Sequence, residues 1–234
     1  MTLRSTPDLS CTSPHGSDAR DQYSKTTLLC LDFDLTLTQT HLFQYTASMI
    51  REGFGREEAI LRAIRLMEHQ GPRGGEELWS VLAMWLNHGH ALAVTSFTAF
   101  PELPIALLAK GVSKVRAQGV SKERIRWLSR PLIIYGDPAP ELNPTRPLPH
   151  TELVTPHPES GVESGKNQHI EAALRLARAR GVDVTRAVLM DDDSQNIALA
   201  EARGHCVIEA RRDDLKDMSH LARLKELIKQ ANAG

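Results

Sequence analysis

Four short runs of apolar residues, at 27–33, 91–94, 132–135 and 187–190, do not alternate with polar ones. A strand with one wet face alternates, whereas an unbroken apolar run of this length is buried on both sides, as in a parallel sheet covered by helices. The stretches between the runs carry helical spacing. Leu42, Tyr45 and Met49 recur at helical intervals, as do Ala59, Ile60, Ala63, Ile64 and Met67, with Gly53 and Gly55 punctuating between the two sets. Leu78, Trp79, Leu82, Trp85 and Leu86 form a third apolar stripe after the GPRGG break at 71–75. Further helices are expected around 105–109, 125–128, 166–180 and 194–203, the last two closed by Gly181 and Gly204. A fifth short strand is expected at 206–208. Leu215, Met218, Leu221, Leu224 and Ile228 predict an amphipathic terminal helix from Asp213 onward. Strands alternating with helices in this way predict an α/β fold, a doubly wound, Rossmann-like parallel sheet.

Length and composition narrow the class further. A chain of 234 residues has room for one such domain with a small insertion. Residues 25–234 are expected to form it, and 1–24, rich in Ser, Thr, Asp and Pro, to be a disordered tail. Residues 40–73 make a small helical insertion. Pro138, Pro140, Pro144, Pro147, Pro149, Pro156 and Pro158 make 136–165 a long surface loop, with no long helix or central strand. The formal net charge of -1 supplies no global field for nucleic acid, and the apolar runs are far shorter than the ~20 residues that span a bilayer. Cys11, Cys30 and Cys206 are scattered and odd in number, which fits a reducing, cytoplasmic setting without disulfides or zinc. The composition of the tail is also compatible with the N-terminal signals of bacterial effectors delivered into a host cell.

Three of the expected strands end in polar residues of complementary kinds: Asp32 and Asp34 after the first, Thr95 and Ser96 after the second, Asp191 and Asp192 after the fourth. In a doubly wound sheet ligands bind beyond these carboxyl ends. Lys166 begins the helix that leads into the fourth strand, near the same edge and at a helix N-terminus that favours anions. Carboxylates from two strands suit a hard Mg²⁺ ion bridging to a phosphate, and a hydroxyl and an ammonium suit the remaining phosphoryl oxygens. Enzymes accelerate phosphate monoester hydrolysis by up to ~10²¹, so metal, cation, nucleophile and proton donor are needed together.

The segments LLCLDFDLTLT, AVTS, SGKNQHIEAAL and VLMDDDSQNIALAEARGHCVI resemble, in order, the four motifs of the haloacid dehalogenase (HAD) superfamily, across residues 27–208. The resemblance implies a HAD-type sheet with Asp32 as nucleophile and Asp34 as general acid/base, its main-chain carbonyl on the metal. It further implies that Thr36 shapes the turn, that Thr95 binds phosphate with Ser96 beside it, and that Lys166 neutralises charge. Asp192 would be the magnesium carboxylate. Asp191 stands where many members have glycine and Asn196 where many have aspartate, so metal duty is shared between Asp191 and Asp192 in a way the motif leaves open. Asp34 is absent from dehalogenase-type members, which favours phosphate. The implied activity is a Mg²⁺-dependent phosphomonoester hydrolase acting on a phosphorylated small molecule or phosphoprotein. The alternatives are a phosphomutase or phosphotransferase, and a non-catalytic effector or binding module. Residues 40–73 occupy the first of the family's cap positions, and 136–165 lie near the second.

Asp193 and Ser194 are expected to cap the following helix. The string GVESGK is one residue short of a P-loop and has Asn167 in place of its hydroxyl. A receiver domain places its phosphoacceptor after the acidic pair, the reverse of the order here. His88, His90, His150 and His157 lack carboxylates or cysteines at ligand spacing, and Trp79, Trp85 and Trp127 lie at core positions of helices.

Overall fold

The computed structural model describes residues 26–136, 148, 151–153 and 165–233. The tail expected at 1–24, with Cys11, and most of the Pro-rich loop, with His150 and His157, lie outside the described residues. The elements run β1 Thr26–Leu31, α1 Leu42–Arg51, α2 Arg56–Gln70, α3 Gly75–Asn87, β2 Ala91–Ser96, α4 Glu102–Ala117 and α5 Lys122–Ser129, followed by β3 Leu132–Tyr135 and β4 Thr151–Leu153. They continue through α6 Asn167–Ala179, β5 Val184–Asp191, α7 Ser194–Ala202, β6 Cys206–Glu209 and α8 Ser219–Ala233. No helix among the described residues is long and apolar enough to cross a membrane.

All described strands join one parallel sheet in the order β4-β3-β2-β1-β5-β6. The chain builds outward from β1 through β2, β3 and β4, then crosses back to add β5 and β6 on the other side of β1. The direction of winding therefore reverses between β1 and β5, and the crevice beyond their carboxyl ends is the place where such sheets take ligands. Leu28, Leu29, Cys30 and Leu31 of β1 and all of β2 are buried, as their unbroken apolar runs predict. The three tryptophans are core residues, and the Trp85 indole donates to the Ala91 carbonyl at 2.8 Å. Helix α4 approaches α3 so closely that a Cβ on Gly111 would meet the Trp79 ring at 2.2 Å, so only glycine fits there.

Two expectations are corrected. The Pro-rich stretch contributes a short strand, β4, at the edge of the sheet, where missing N–H donors are tolerated. The terminal helix begins at Ser219, six residues later than the apolar spacing from Asp213 suggests. Asp214 accepts from the Lys216 amide and Asp217 from the Ser219 amide. These side-chain bonds offer the backbone a turn in place of a helix, and Asp217 takes up the first amide of α8. The insertion at 40–73 forms α1 and α2, which pack on each other, with Arg56 reaching α4 through an ion pair to Glu102 at 2.6 Å.

Candidate active site

Parallel register brings the acidic residues together. Leu31 pairs with Met190, and the Asp32 amide extends the ladder by donating to the Met190 carbonyl at 2.8 Å. Asp32 and Asp191 therefore leave adjacent strands at the same level, with Asp192 one residue on. Asp32, Asp191 and Asp192 are all buried, and each offers an oxygen within 4.8 Å of the others. Asp191 is held by the Asp193 amide at 2.9 Å and by the Asn196 amide group at 3.2 and 3.3 Å. Thr36 donates to Asp192 Oδ1 at 3.4 Å, and the Arg212 guanidinium lies 3.1 Å from Asp192 Oδ2.

Lys166 supplies the opposing charge. It stands at the N-terminus of α6, after Gly165, whose φ of +46° turns the chain sharply where a Cβ would meet Leu199 at 2.9 Å. Its ammonium, 1% exposed, donates to Asp32 Oδ1 at 2.6 Å and to the Thr95 carbonyl at 2.7 Å. It also lies 4.0 Å from Asp191 Oδ2 and 4.5 Å from the centre of the Phe97 ring. Burial pushes the Asp32 carboxyl well above its ordinary range, Lys166 opposes the rise, and Asp191 and Asp192 add to it. Asp191 and Asp192 are raised as well, both chiefly by burial. Three clustered carboxylates beside one buried ammonium form a set of hard oxygen donors that could hold a metal ion. Cys30, two residues before Asp32, is no competing nucleophile, since burial pushes its thiol up to about 12.

Asp32, Asp34, Ser96, Lys166, Asp191 and Asp192 line one cavity of about 150 Å³. Thr95 does not line it. Its hydroxyl is fully buried and has no hydrogen-bond partner among the described residues, while its carbonyl anchors Lys166, so the lining residue at this strand end is Ser96. The carboxylate of Asp34 stands apart from the acidic cluster. Its oxygens accept from the Leu42 amide at 2.7 Å and the Phe43 amide at 3.3 and 3.4 Å, at the N-terminus of α1. Thr36 reaches across to Asp192, and Thr38 shapes the turn instead, accepting from the Leu35 amide at 3.2 Å and donating to the Phe33 carbonyl at 3.3 Å. Asp193 caps α7 as expected, accepting from the Gln195 amide at 2.8 Å.

Four further residues belong to the site or hold it. His41 and Phe97 line the cavity, with His41 Nδ1 3.3 Å from Asp34 Oδ2. Arg212 lines it too, although the run RRDD at 211–214 reads as a solvated charged segment. Arg73, 1% exposed, donates to the carbonyls of Leu35, Ala210, Arg211, Asp214 and Asp217, tying the loop after Asp34 to the loop after β6. Its position in GPRGG signals a chain break and nothing more. Comparisons of the chain with models of protein families, with curated proteins and with solved structures returned no match. The fold and the geometry of the acidic cavity carry the functional reading.

Proposed function

We propose that this chain is a Mg²⁺-dependent phosphomonoester hydrolase that works through a phosphoaspartate on Asp32. One observation carries the reading: a buried carboxylate at the winding reversal of a parallel sheet, gripped by a buried lysine at 2.6 Å and clustered with two further carboxylates from the neighbouring strand. Lys166 fixes Oδ1 of Asp32, so the carboxylate enters the reaction in one orientation. Asp32, Asp191 and Asp192 would hold the metal, which when bound supplies charge to bind and polarise the phosphoryl oxygens.

Asp32 attacks phosphorus while the bond to the leaving oxygen breaks, and Asp34 gives that oxygen its proton. Water then loses a proton to Asp34 and attacks phosphorus, the Asp32–phosphorus bond breaks, and inorganic phosphate leaves with Asp32 restored. Lys166 and Ser96 bind phosphoryl oxygens as charge redistributes. The test is hydrolysis of p-nitrophenyl phosphate with Mg²⁺ by the wild-type chain and by Asp32→Asn. Turnover lost in the variant supports the reading. Equal turnover removes Asp32 as nucleophile, and inactivity of the wild type across phosphosugars, nucleotides and phosphopeptides rejects the hydrolase.

A further inference from the structure

The side chain of Arg212 connects the acidic cavity to an outer groove lined by Asp192, Ser194, Glu209, Arg211, Arg212 and Asp213. Its Nε lies 3.1 Å from Asp192 Oδ2, and a terminal nitrogen donates to Asp193 Oδ2 at 2.9 Å. The two ends of this residue are held differently. Its backbone belongs to the loop that Arg73 pins through the carbonyls of Ala210, Arg211, Asp214 and Asp217. Its side chain is 52% exposed, which leaves room for the tip to exchange partners while its base stays in place. Asp193, the second partner, is itself fixed at the N-terminus of α7 and stands outside the group of three clustered carboxylates.

Charge decides when the tip would move. Without a metal, three carboxylates face the Lys166 ammonium, and Arg212 supplies the second positive charge. A divalent cation among the same carboxylates makes the guanidinium redundant at Asp192 and repels it. A phosphoryl dianion entering that neutralised cavity brings new negative charge, which a planar guanidinium meets with paired N–H donors.

We propose that Arg212 is an exchanging cation of this site, the counter-ion of Asp192 in the metal-free protein and a ligand of the substrate phosphoryl group once the metal is bound. Asp193 keeps the guanidinium at the cavity mouth during the exchange. The inference rests on the metal-dependent reading above and deepens it by assigning an anion-binding residue and an order: metal first, phosphate second. Arg212 competes with the metal and cooperates with the anion, so removing it has opposite effects on the two ligands.

The experiment is calorimetric titration of the full chain, wild type, Arg212→Gln and Arg212→Lys, first with Mg²⁺ in phosphate-free buffer and then with inorganic phosphate at saturating Mg²⁺. Loss of a half-exposed counter-ion in Arg212→Gln should tighten Mg²⁺ about threefold. Loss of a charge-assisted hydrogen bond should weaken phosphate about tenfold. Arg212→Lys keeps the charge without the fork and should fall between the two for phosphate. Affinities that both weaken in Arg212→Gln, as general damage to the site would cause, overturn the proposal, as does either change without the other. A wild type that takes up no Mg²⁺ overturns both this proposal and the metal-dependent function. Opposite shifts in a chain that hydrolyses no phosphomonoester leave the exchange standing and reject only the hydrolase.

Discussion

The Leu42 amide donates to Asp34 Oδ1 at 2.7 Å, so a residue of the first loop caps the first helix of the insertion from eight positions away. His41, at the N-cap position itself, makes no side-chain cap bond. Asp34 therefore carries a structural load besides the proton transfer assigned to it. Asn keeps an oxygen acceptor for Leu42 but cannot exchange a proton, whereas Ala loses both. Asp34→Asn is expected to unfold in urea within about 0.5 kcal/mol of wild type, and Asp34→Ala to lose about 1–2 kcal/mol. Both should lose at least about 10²-fold in turnover of alkyl phosphates. A fully active Asp34→Asn would remove the acid/base role and leave only the cap.

Lys166 is the buried ammonium that Asp32 and Asp191 share. Replacing it with Met leaves Asp32 uncompensated in a buried site, and breaking a buried pair from one side costs about 3–5 kcal/mol. Adding Asp32→Asn to Lys166→Met removes the stranded charge and should recover a large part of that loss. Urea denaturation of the single and double variants at neutral pH without metal measures the coupling. Additive losses would show that the pair does not act as a unit.

The raised carboxyls of Asp32, Asp191 and Asp192 make the folded chain hold protons to a higher pH than the unfolded chain does. The stability they contribute is complete below the ordinary aspartate value of about 3.9 and is lost as pH rises through the folded values. On the proposed reading, Mg²⁺ would bind the deprotonated cluster and relieve its repulsion. The rise in melting temperature on adding MgCl₂ should accordingly be larger at pH 8 than at pH 5. A shift that does not change between those conditions would place the bound metal elsewhere.

Buried histidines push in the opposite direction. Burial lowers His90 and His220 to about 4, and lowers His169, whose two ring nitrogens have no hydrogen-bond partner, to about 3. The unfolded chain takes up these protons below about 6.5 while the folded chain does not, so stability is lost from about 6.5 downward through the folded values. His169 packs its ring edge on Phe97 at 4.8 Å between centroids. His169→Leu should flatten the fall in melting temperature between pH 6.5 and pH 4, measured without metal and with wild type as reference. An unchanged slope would remove His169 from the acid response.

The strand runs, the alternation with helices and the order of polar strand ends were legible because each depends on local spacing. Ala91–Ser96 is buried throughout because an unbroken apolar run has no wet face to offer. The gathering of Asp32, Ser96, Lys166, Asp191 and Asp192 followed from the rule that parallel strands present their carboxyl ends at one edge. The finer assignments needed distances between residues far apart in the chain. Thr95 and Ser96 are equivalent as letters, and only the packed strand end leaves Thr95 fully buried and makes Ser96 a lining residue of the cavity. Thr36, expected to shape the turn, meets Asp192 across 156 positions for the same reason, and Thr38 is the residue that folds back on Phe33.

Arg73 and Arg212 were illegible because surroundings determine the use of an arginine. In a local window GPRGG is a break and RRDD a solvated run. In the folded chain Arg73 satisfies five carbonyls of two loops and Arg212 meets the acidic cluster. By itself the sequence determined a parallel α/β sheet with carboxylates, hydroxyls and a lysine at one edge, since strand period and chain order dictate that much. Tertiary structure alone decided which strand-end residue lines the cavity, which carboxylate caps a helix and which arginine meets the acidic cluster. Those outcomes depend on ångström-scale approach between segments that no local pattern encodes.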